Sequence, residues 1–288
     1  MKKTLQTLWI TLFLVFLAPA GAQENADDAR IAELLQQGTP GPQTIELGQQ
    51  ARLQLPAGMI YLSQIPANEF MNLIGNTMST GRYGIVLPAD SNEAWIIDLE
   101  YTQSGYIRED EANRLNPAQL LQNIRQSTEA ENEARSKRGE PLLAVIGWLA
   151  EPHYDAASHR LHFALDIRQG GEAGVANYAT LILGRYGLIK LDLITDTEKF
   201  TRNKPVADEI AAGVSFRRAQ RYQDYDSKTD PAPKQGISSL IDGAVKNPGL
   251  LALLVILAVK YSKLLIAAAI AIAYGVKKFL DARHRKTS

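Results

Sequence analysis

A run of apolar residues near the carboxyl end constrains this chain more than any other feature. Residues 250–276 are apolar apart from Lys260, Ser262, Lys263 and two tyrosines. A helix of that length would be about 40 Å long, which exceeds the ~30 Å hydrocarbon core of a bilayer. We therefore predict one transmembrane helix over 250–276, which makes the lipid bilayer the first expected partner.

Two lysines interrupt the predicted span. Lys260 and Lys263 are three residues apart, so they share one helix face. If the span ends at Lys277, both lie in its outer third, from which their amines can reach the interface by snorkelling. The pair would also suit an acidic partner helix or anionic headgroups, which makes Lys260 and Lys263 candidate contacts with a membrane partner. Snorkelling is the interpretation that the position favours.

The amino terminus has the pattern of a secretory signal peptide. Two lysines precede an apolar run over 8–17, and Ala20 and Ala22 have the spacing of a cleavage site. An uncleaved anchor is the alternative, but the run is shorter than the ~20 residues that a span needs. The basic tail, 277–288, belongs in the cytoplasm by the positive-inside rule. We predict a single-pass protein of a bacterial inner membrane, with its folded domain in the periplasm.

These features divide the chain into five segments. They are a signal peptide (1–22), an exported domain (23–226), a polar, proline-containing linker (227–249), the span (250–276) and a basic cytoplasmic tail (277–288). Residues 23–246 contain 22 basic and 30 acidic side chains, so we expect no nucleic acid partner. Cysteine is absent, which excludes disulfides, thiol nucleophiles and thiolate metal sites.

Strand patterns dominate the exported domain and predict an α+β fold with a mainly antiparallel sheet and a few packing helices. EAWIIDLEY alternates, with Asp98 and Glu100 on a face that we expect to be solvated. A later strand similarly places Lys190 and Asp192 outward. LLAVIGWLA, residues 142–150, is apolar on both faces and therefore predicts a central strand.

Helix patterns are fewer. NPAQLLQNIRQSTEAENEARSKRG is the clearest, because Asn116 can cap it, Pro117 suits its first turn and Gln119 completes a capping box. Shorter helices are predicted over 30–38 and near PVADEIAAGVSF.

Three of the four histidines lie in GWLAEPHYDAASHRLHFA, residues 147–164. Strand periodicity puts His159 and His162 on opposite faces, so all three cannot converge through regular strand geometry. His153, Asp155 and His159 would gather only in a compact loop, as two histidines and one carboxylate. A plain turn, in which Asp155 bonds to nearby amides, is the favoured interpretation, and we predict no metal and no cofactor.

Other motifs do not assign an activity. REDE, residues 108–111, is best explained as an acidic patch before a helix, although Asp110 could approach the histidine stretch. DYDSKTD lacks the glycine and the ligand spacing of a calcium loop. The basic and aromatic string SFRRAQRYQDYD has acidic neighbours that favour a solvated face. G-x-S-x-G, H-E-x-x-H and a phosphate loop are all absent from the sequence.

Three long blocks follow one another along the chain: GYIREDEANRLNPAQLLQNIRQSTEAENEARSKRG, GWLAEPHYDAASHRLHFA and NYATLILGRYG. Together they resemble a bacterial family of membrane-anchored proteins built around a domain of unknown function, from about Gly38 to Lys246. The resemblance implies a signal sequence and a C-terminal membrane segment but no activity. Where the family pattern tends to have an aromatic such as tryptophan, this chain has the smaller ring of Phe163. This mild departure leaves the strand prediction intact. The matching residues include Gly105, Tyr106, Asp110, Asn132, Arg135, Gly147, Trp148, His153, Tyr154, Asp155, His159, Asn177, Tyr178, Gly184 and Arg185.

We expect a non-enzymatic interaction or scaffold module, whose partner is a membrane protein, a periplasmic protein or a second copy of the chain. The alternative is a periplasmic metal-dependent hydrolase or small-ligand receptor. It would use His153, Tyr154, Asp155 and His159, with Asp110 nearby, and it requires a pocket where these side chains converge.

Overall fold

The structure, a computed structural model, describes residues 20–237 apart from 77, 91, 111, 140 and 170–173. Within that part the α-helices are α1 (Ala20–Gln36), α2 (Gln64–Leu73), α3 (Pro117–Lys137) and α4 (Phe200–Gly213). The strands are β1 (Thr39–Pro40), β2 (Gln43–Leu47), β3 (Ala51–Leu55), β4 (Met59–Ser63), β5 (Arg82–Pro88), β6 (Trp95–Thr102), β7 (Ile107–Arg108), β8 (Leu143–Asp155), β9 (Arg160–Gln169), β10 (Val175–Leu183), β11 (Leu188–Asp196), β12 (Val214–Phe216) and β13 (Gln235–Gly236).

The membrane segments that the sequence predicts lie mostly outside the described residues. The predicted span, 250–276, the basic tail with its flanking residues, and most of the predicted signal peptide lie outside the described residues. In the described part, no helix combines the length and the apolar character that crossing a bilayer requires.

Eight strands form one antiparallel sheet in the order β1, β4, β5, β6, β11, β10, β9, β8. A smaller antiparallel sheet has the order β12, β3, β2, and β13 pairs in parallel with β7. The mainly antiparallel α+β fold is therefore confirmed.

The large sheet is covered on both faces. Its α4 face packs against α4 and the small sheet through side chains such as Ile97 and Leu191. Its α3 face packs against α1 and α2 at one end, through Ile96, and against α3 at the other, through Phe163. Each fully buried aliphatic or aromatic side chain stabilises the fold by about 1.5–3 kcal/mol, so the alternating positions of the inner strands supply most of the core.

Helix α3 begins where the sequence predicts. Asn116 Oδ1 accepts a hydrogen bond from the Gln119 N–H at 3.1 Å, and Pro117 is the first helical residue. The Gln119 side chain donates to Asn123 Oδ1 at 2.9 Å instead of reaching back to the cap. The predicted cap therefore forms, but the reciprocal half of the capping box does not.

The prediction of a central strand over 142–150 is wrong. β8 is an edge strand of the large sheet, and Ile146 is 44% exposed. Helix α3 covers the free edge of β8. The Asn132 amide donates to Leu143 O at 2.8 Å and accepts from the Leu143 N–H at 2.9 Å, while Arg125 donates to the carbonyls of Val145 and Ile146. These helix side chains satisfy backbone groups that a neighbouring strand would otherwise pair.

Four charged side chains that we predicted to be solvated are buried at the centre of the α3 face. Asp98, Glu100, Lys190 and Asp192 are all at most 8% exposed, because α2 and α3 flank this face from both ends. Lys190 Nζ lies 2.8 Å from Asp192 Oδ2 and 3.6 Å from Glu100 Oε2. Arg82 donates to both carboxylate oxygens of Asp98, at 2.9 and 2.8 Å. These ion pairs offset part of the desolvation cost.

The first part of the predicted linker packs against the domain. β13 pairs with β7, and Ile237 is fully buried. Arg185 donates to both carboxylate oxygens of Asp230 at 2.8 and 2.7 Å. The proline content of this stretch predicts a flexible segment, but strand pairing and the Arg185–Asp230 ion pair hold it at one end of the large sheet.

Candidate functional site

Loops gather at one end of the large sheet and bring together several side chains that the sequence singles out. The tip of the β8–β9 hairpin joins the β10–β11 turn, since the Leu183 N–H donates to His159 O at 3.0 Å. The segment after β6 joins the same turn through the Gly105 N–H, which donates to Tyr186 O at 3.0 Å. Backbone hydrogen bonds therefore define this end of the domain.

Glu109 connects two residues of the hairpin at this end. The Tyr154 hydroxyl donates to Glu109 Oε2, and His159 Nδ1 lies 3.1 Å from the same oxygen. His159 has a φ of 53°, a left-handed conformation that is uncommon for a residue other than glycine. Burial raises the pKa of the Tyr154 hydroxyl, and the bond to Glu109 adds to this effect, so the phenol remains a protonated donor.

The contact with Glu109 orients the His159 ring. A carboxylate at Nδ1 favours the tautomer that carries its proton there, which leaves Nε2 as a proton acceptor. Such an arrangement can serve as a base or as a hydrogen-bonding site for a ligand. In the described part of the chain, no side-chain hydroxyl forms a hydrogen bond with this ring.

Aromatic rings continue from His159 across the end of the sheet. The His159 ring lies 4.2 Å from that of Tyr222, and Tyr106 stacks against Tyr222 at 4.5 Å and against Tyr225 at 3.9 Å. The Tyr222 hydroxyl donates to Ile107 O at 2.8 Å. Burial raises the pKa of both Tyr222 and Tyr106. Aromatic pairs of this kind contribute about 0.5–1.5 kcal/mol each beyond area burial, so this ring column stabilises the end of the sheet.

A cleft of about 300 Å³ opens beside the ring column. We call it the tyrosine cleft and define it by Tyr106, Tyr186, Tyr225 and Lys234, together with residues 103–105. It combines aromatic side chains with polar residues and an ammonium group, which is a mixture typical of binding sites.

Arg185 and Asp230 form the charged wall of the tyrosine cleft. Besides the two hydrogen bonds to Asp230, the Arg185 guanidinium lies over the Tyr186 ring, 4.8 Å from its centre. Hydrogen bonding to Arg185 lowers the pKa of Asp230 to about 2. Both groups are therefore charged over the whole physiological range, and this ion pair is a fixed part of the cleft.

The predicted polar residues divide between the two faces of the β8–β9 hairpin. Tyr154 lies opposite Leu161 on the α3 face, and His159 also contacts Glu109 there. His153 lies opposite His162 on the α4 face. The structure therefore brings Tyr154 and His159 together and separates His153 from them.

The two predicted carboxylates also lie apart from this pair. Asp155 accepts hydrogen bonds from the Ala157 N–H at 3.0 Å and the Ser158 hydroxyl at 2.5 Å, which is the turn geometry that the sequence favours. The Ser158 and Ala157 bonds lower the pKa of Asp155. Asp110 is exposed and lies 3.8 Å from Arg108. Within the described ranges, no three His, Asp or Glu side chains are grouped closely enough to hold a metal ion.

Sequence reasoning missed Glu109, Tyr222 and Tyr225 as members of this site. Glu109 is next to Asp110, and only the fold shows which of the two carboxylates faces the hairpin. Tyr222 and Tyr225 stand three residues apart in RYQDY, a spacing compatible with one shared face of a helical turn.

A family model described as a protein of unknown function, DUF2167, matches residues 39–272. This protein belongs to the DUF2167 family. The matched stretch includes the tyrosine cleft, the ring column and most of the apolar run over 250–276. No curated protein matches the DUF2167 chain.

Two solved structures are distantly similar to this DUF2167 protein. One is the solution structure of cyanobacterial PsbP (CyanoP) from Synechocystis sp. PCC 6803, with a TM-score of 0.40 and 14% identity over 61% of this chain and 92% of that one. The other is the Saccharomyces cerevisiae Ran-binding protein Mog1p, with a TM-score of 0.30 and 7% identity over 62% of this chain and 96% of that one. Scores this low carry no information about ligands or partners.

Proposed function

We propose that this DUF2167 protein is a non-enzymatic interaction module, anchored in a bacterial inner membrane, with its domain in the periplasm and the tyrosine cleft as its contact surface. One observation carries the proposal. Tyr225, Asp230 and Lys234 belong to the segment that leads from the domain toward residues 250–276. Residues 238–249 can extend to at most about 40 Å, so a partner in the cleft would be held close to the membrane.

The chemistry of the tyrosine cleft supports a protein partner. A volume of about 300 Å³ is at the lower limit for small-molecule pockets and suits one or two side chains of a loop. Tyrosine is enriched at protein interfaces because its ring packs while its hydroxyl remains hydrated. Lys234 supplies a positive charge at the rim, so the fitting segment is a loop with an acidic side chain beside an apolar one, from a membrane or periplasmic protein or from a second copy.

The hydrolase or receptor alternative has weaker support. It requires His153, Asp155 and His159 to converge, whereas these residues lie on two faces of the hairpin and in its turn. The oriented His159–Glu109 pair is compatible with ligand binding in the adjacent cleft, and such binding requires no catalytic step.

Site-directed photo-crosslinking in living cells tests the proposal. A benzophenone amino acid at Lys234 of the full chain should give a discrete adduct, which mass spectrometry identifies as a membrane or periplasmic protein or as a second copy. The matched control is the same amino acid at Ile65, which is 79% exposed on α2. Equal adducts from both positions, or none from Lys234, would count against the tyrosine cleft as the contact surface.

A further inference from the structure

A second group of charged side chains lies on the α4 face of the β8–β9 hairpin, opposite to the tyrosine cleft. Helix α4 packs against β3, β10 and β11 and leaves the outer strands β8 and β9 beside its flank. His162 faces this flank from β9, with His153 opposite it on β8 and Arg160 two residues away on the same face. Lys204 and Asp208 face the same space from α4. These side chains therefore lie together along the boundary between α4 and the outer strands of the sheet.

Hydrogen bonds hold the His162 ring from its inner side. Its Nδ1 lies 3.1 Å from both Thr180 Oγ1 and Tyr178 Oη. The Tyr178 hydroxyl donates to Asp208 Oδ1 at 2.7 Å, and Lys204 Nζ donates to Asp208 Oδ2 at 2.7 Å. Because Nδ1 is occupied, Nε2 on the other side of the ring is the nitrogen left for a ligand.

Arg160 carries a positive charge that the described part of the chain compensates only in part, through the nearby charge of Asp155. Its Nε is buried without a hydrogen-bond partner, and the guanidinium forms no ion pair with any described residue. Its cross-strand neighbour Asp155 uses its carboxylate to hold the turn through Ala157 and Ser158. Burial lowers the pKa of Arg160, which is the expected effect when a charge loses hydration without gaining a full partner.

Two cations, Arg160 and Lys204, and two carboxylates, Asp155 and Asp208, surround His162. Burial lowers its pKa; Asp208 opposes this shift, while Lys204, Arg160 and His153 add to it. Asp208 is paired with Lys204, and Asp155 accepts the hydrogen bonds of the turn, so the Arg160 guanidinium is left without a hydrogen-bonded carboxylate among the described residues. A partly buried guanidinium recovers its desolvation cost when it donates paired hydrogen bonds to a planar or tetrahedral oxyanion.

We propose that Arg160, His162, His153 and Lys204 form a binding site for a phosphate-type oxyanion. Arg160 donates from its guanidinium, neutral His162 donates from Nε2 in the tautomer whose Nδ1 accepts from the Thr180 hydroxyl, and Lys204 and the exposed His153 close the rim. The oxyanion can come from a soluble phosphate ester or from a phospholipid headgroup, since both present the same acceptor oxygens. This site is separate from the tyrosine cleft and does not depend on the proposed partner.

Titration of inorganic phosphate into the full chain tests the proposal. The protein is reconstituted in nanodiscs of zwitterionic lipid, and binding is measured by isothermal titration calorimetry. We expect a Kd of about 1 mM or tighter, and Arg160→Gln should weaken binding at least about tenfold. The matched control is Arg168→Gln, which makes the same change on the same strand at a side chain that is 53% exposed, and it should bind like the wild type.

Two further arms make the result decisive. If Arg160→Gln fails to fold, Lys204→Gln replaces it, with an expected weakening of about threefold. Repetition in nanodiscs containing anionic lipid distinguishes the sources, because a headgroup at the site would compete and raise the apparent Kd for phosphate. The proposal is overturned if the wild type binds no phosphate up to about 10 mM. It is also overturned if Arg160→Gln, or Lys204→Gln where it replaces Arg160→Gln, binds phosphate as tightly as the wild type.

Discussion

Asp192 illustrates how the surroundings of one residue determine its charge. It is 2% exposed, and one of its carboxylate oxygens is buried without a hydrogen-bond partner among the described residues. Burial raises its pKa to about 6, although Lys190 at 2.8 Å opposes the shift. Asn177, fully buried on the same face, likewise has both side-chain polar atoms unpaired within the described part. The centre of the α3 face is therefore an electrostatically costly part of the fold.

This environment predicts that stability depends on pH. Between about pH 4 and pH 6 the folded state retains the Asp192 proton that the unfolded state has released, so the contribution of this group to stability falls as pH rises, by at most about 1.4 kcal/mol per pH unit. Urea unfolding of the full chain in detergent, followed by tryptophan fluorescence at several pH values, should show this slope. Asp192→Asn should lack it.

Asp155→Asn is the matched control for that measurement. Hydrogen bonds lower the pKa of Asp155 below its usual value, so it titrates below this window and its removal should leave the slope between pH 4 and 6 unchanged. Identical slopes in the wild type and Asp192→Asn would contradict the assignment.

Adjacent residues also show the limit of sequence reasoning at this scale. Alternation identifies Asp98, Glu100, Lys190 and Asp192 as one polar face, and that grouping holds in the sheet. Whether a polar face is solvated depends on helices that are distant in sequence, and α2 and α3 flank this face. Tyr154 and His159 belong to the candidate site because Glu109 contacts both, and nothing in the local pattern distinguishes Glu109 from its neighbours.

At the scale of elements, α3 and β8 show what can and cannot be read locally. The start of α3 depends on Asn116 and Pro117, which act within one turn, so it is predictable. The position of β8 in the sheet depends on Asn132 and Arg125, whose role as substitutes for a neighbouring strand is invisible before the chain folds. An edge strand can therefore have the apolar sequence pattern of a central strand when a helix covers its free edge.

Because α3 covers the edge of β8, we expect Asn132→Ala to be less stable than the wild type. Both hydrogen bonds to the backbone of Leu143 disappear, which should lower the free energy of unfolding by about 1–3 kcal/mol. Hydrogen exchange of the Leu143 amide should also accelerate, because its acceptor is removed. Gln126→Ala is the control on the same helix, where the side chain is exposed, and its effect should stay within about 0.5 kcal/mol. Equal losses in the two variants would show that Asn132 does not protect the edge.

At the scale of the whole molecule, the proposed contact surface lies close in sequence to the apolar run over 250–276. Ile237 is buried in the domain, and the segment that precedes it supplies Tyr225, Asp230 and Lys234 to the tyrosine cleft. Five lysine and arginine residues follow residue 276, whereas residues 230–249 contain two, Lys234 and Lys246. This asymmetry matches the positive-inside rule and supports the proposed orientation.

The proposed orientation predicts how the full chain and a truncated chain fractionate. The full chain should stay in the membrane pellet after a carbonate wash, because an apolar helix longer than the hydrocarbon core is released only by detergent. A chain ending at residue 249 should appear in the soluble periplasmic fraction. Lys260→Leu with Lys263→Leu should remain in the membrane, since snorkelling lysines add little to anchoring. A phosphatase reporter fused after residue 288 should be inactive, and an active reporter or a carbonate-soluble full chain would refute the proposed topology.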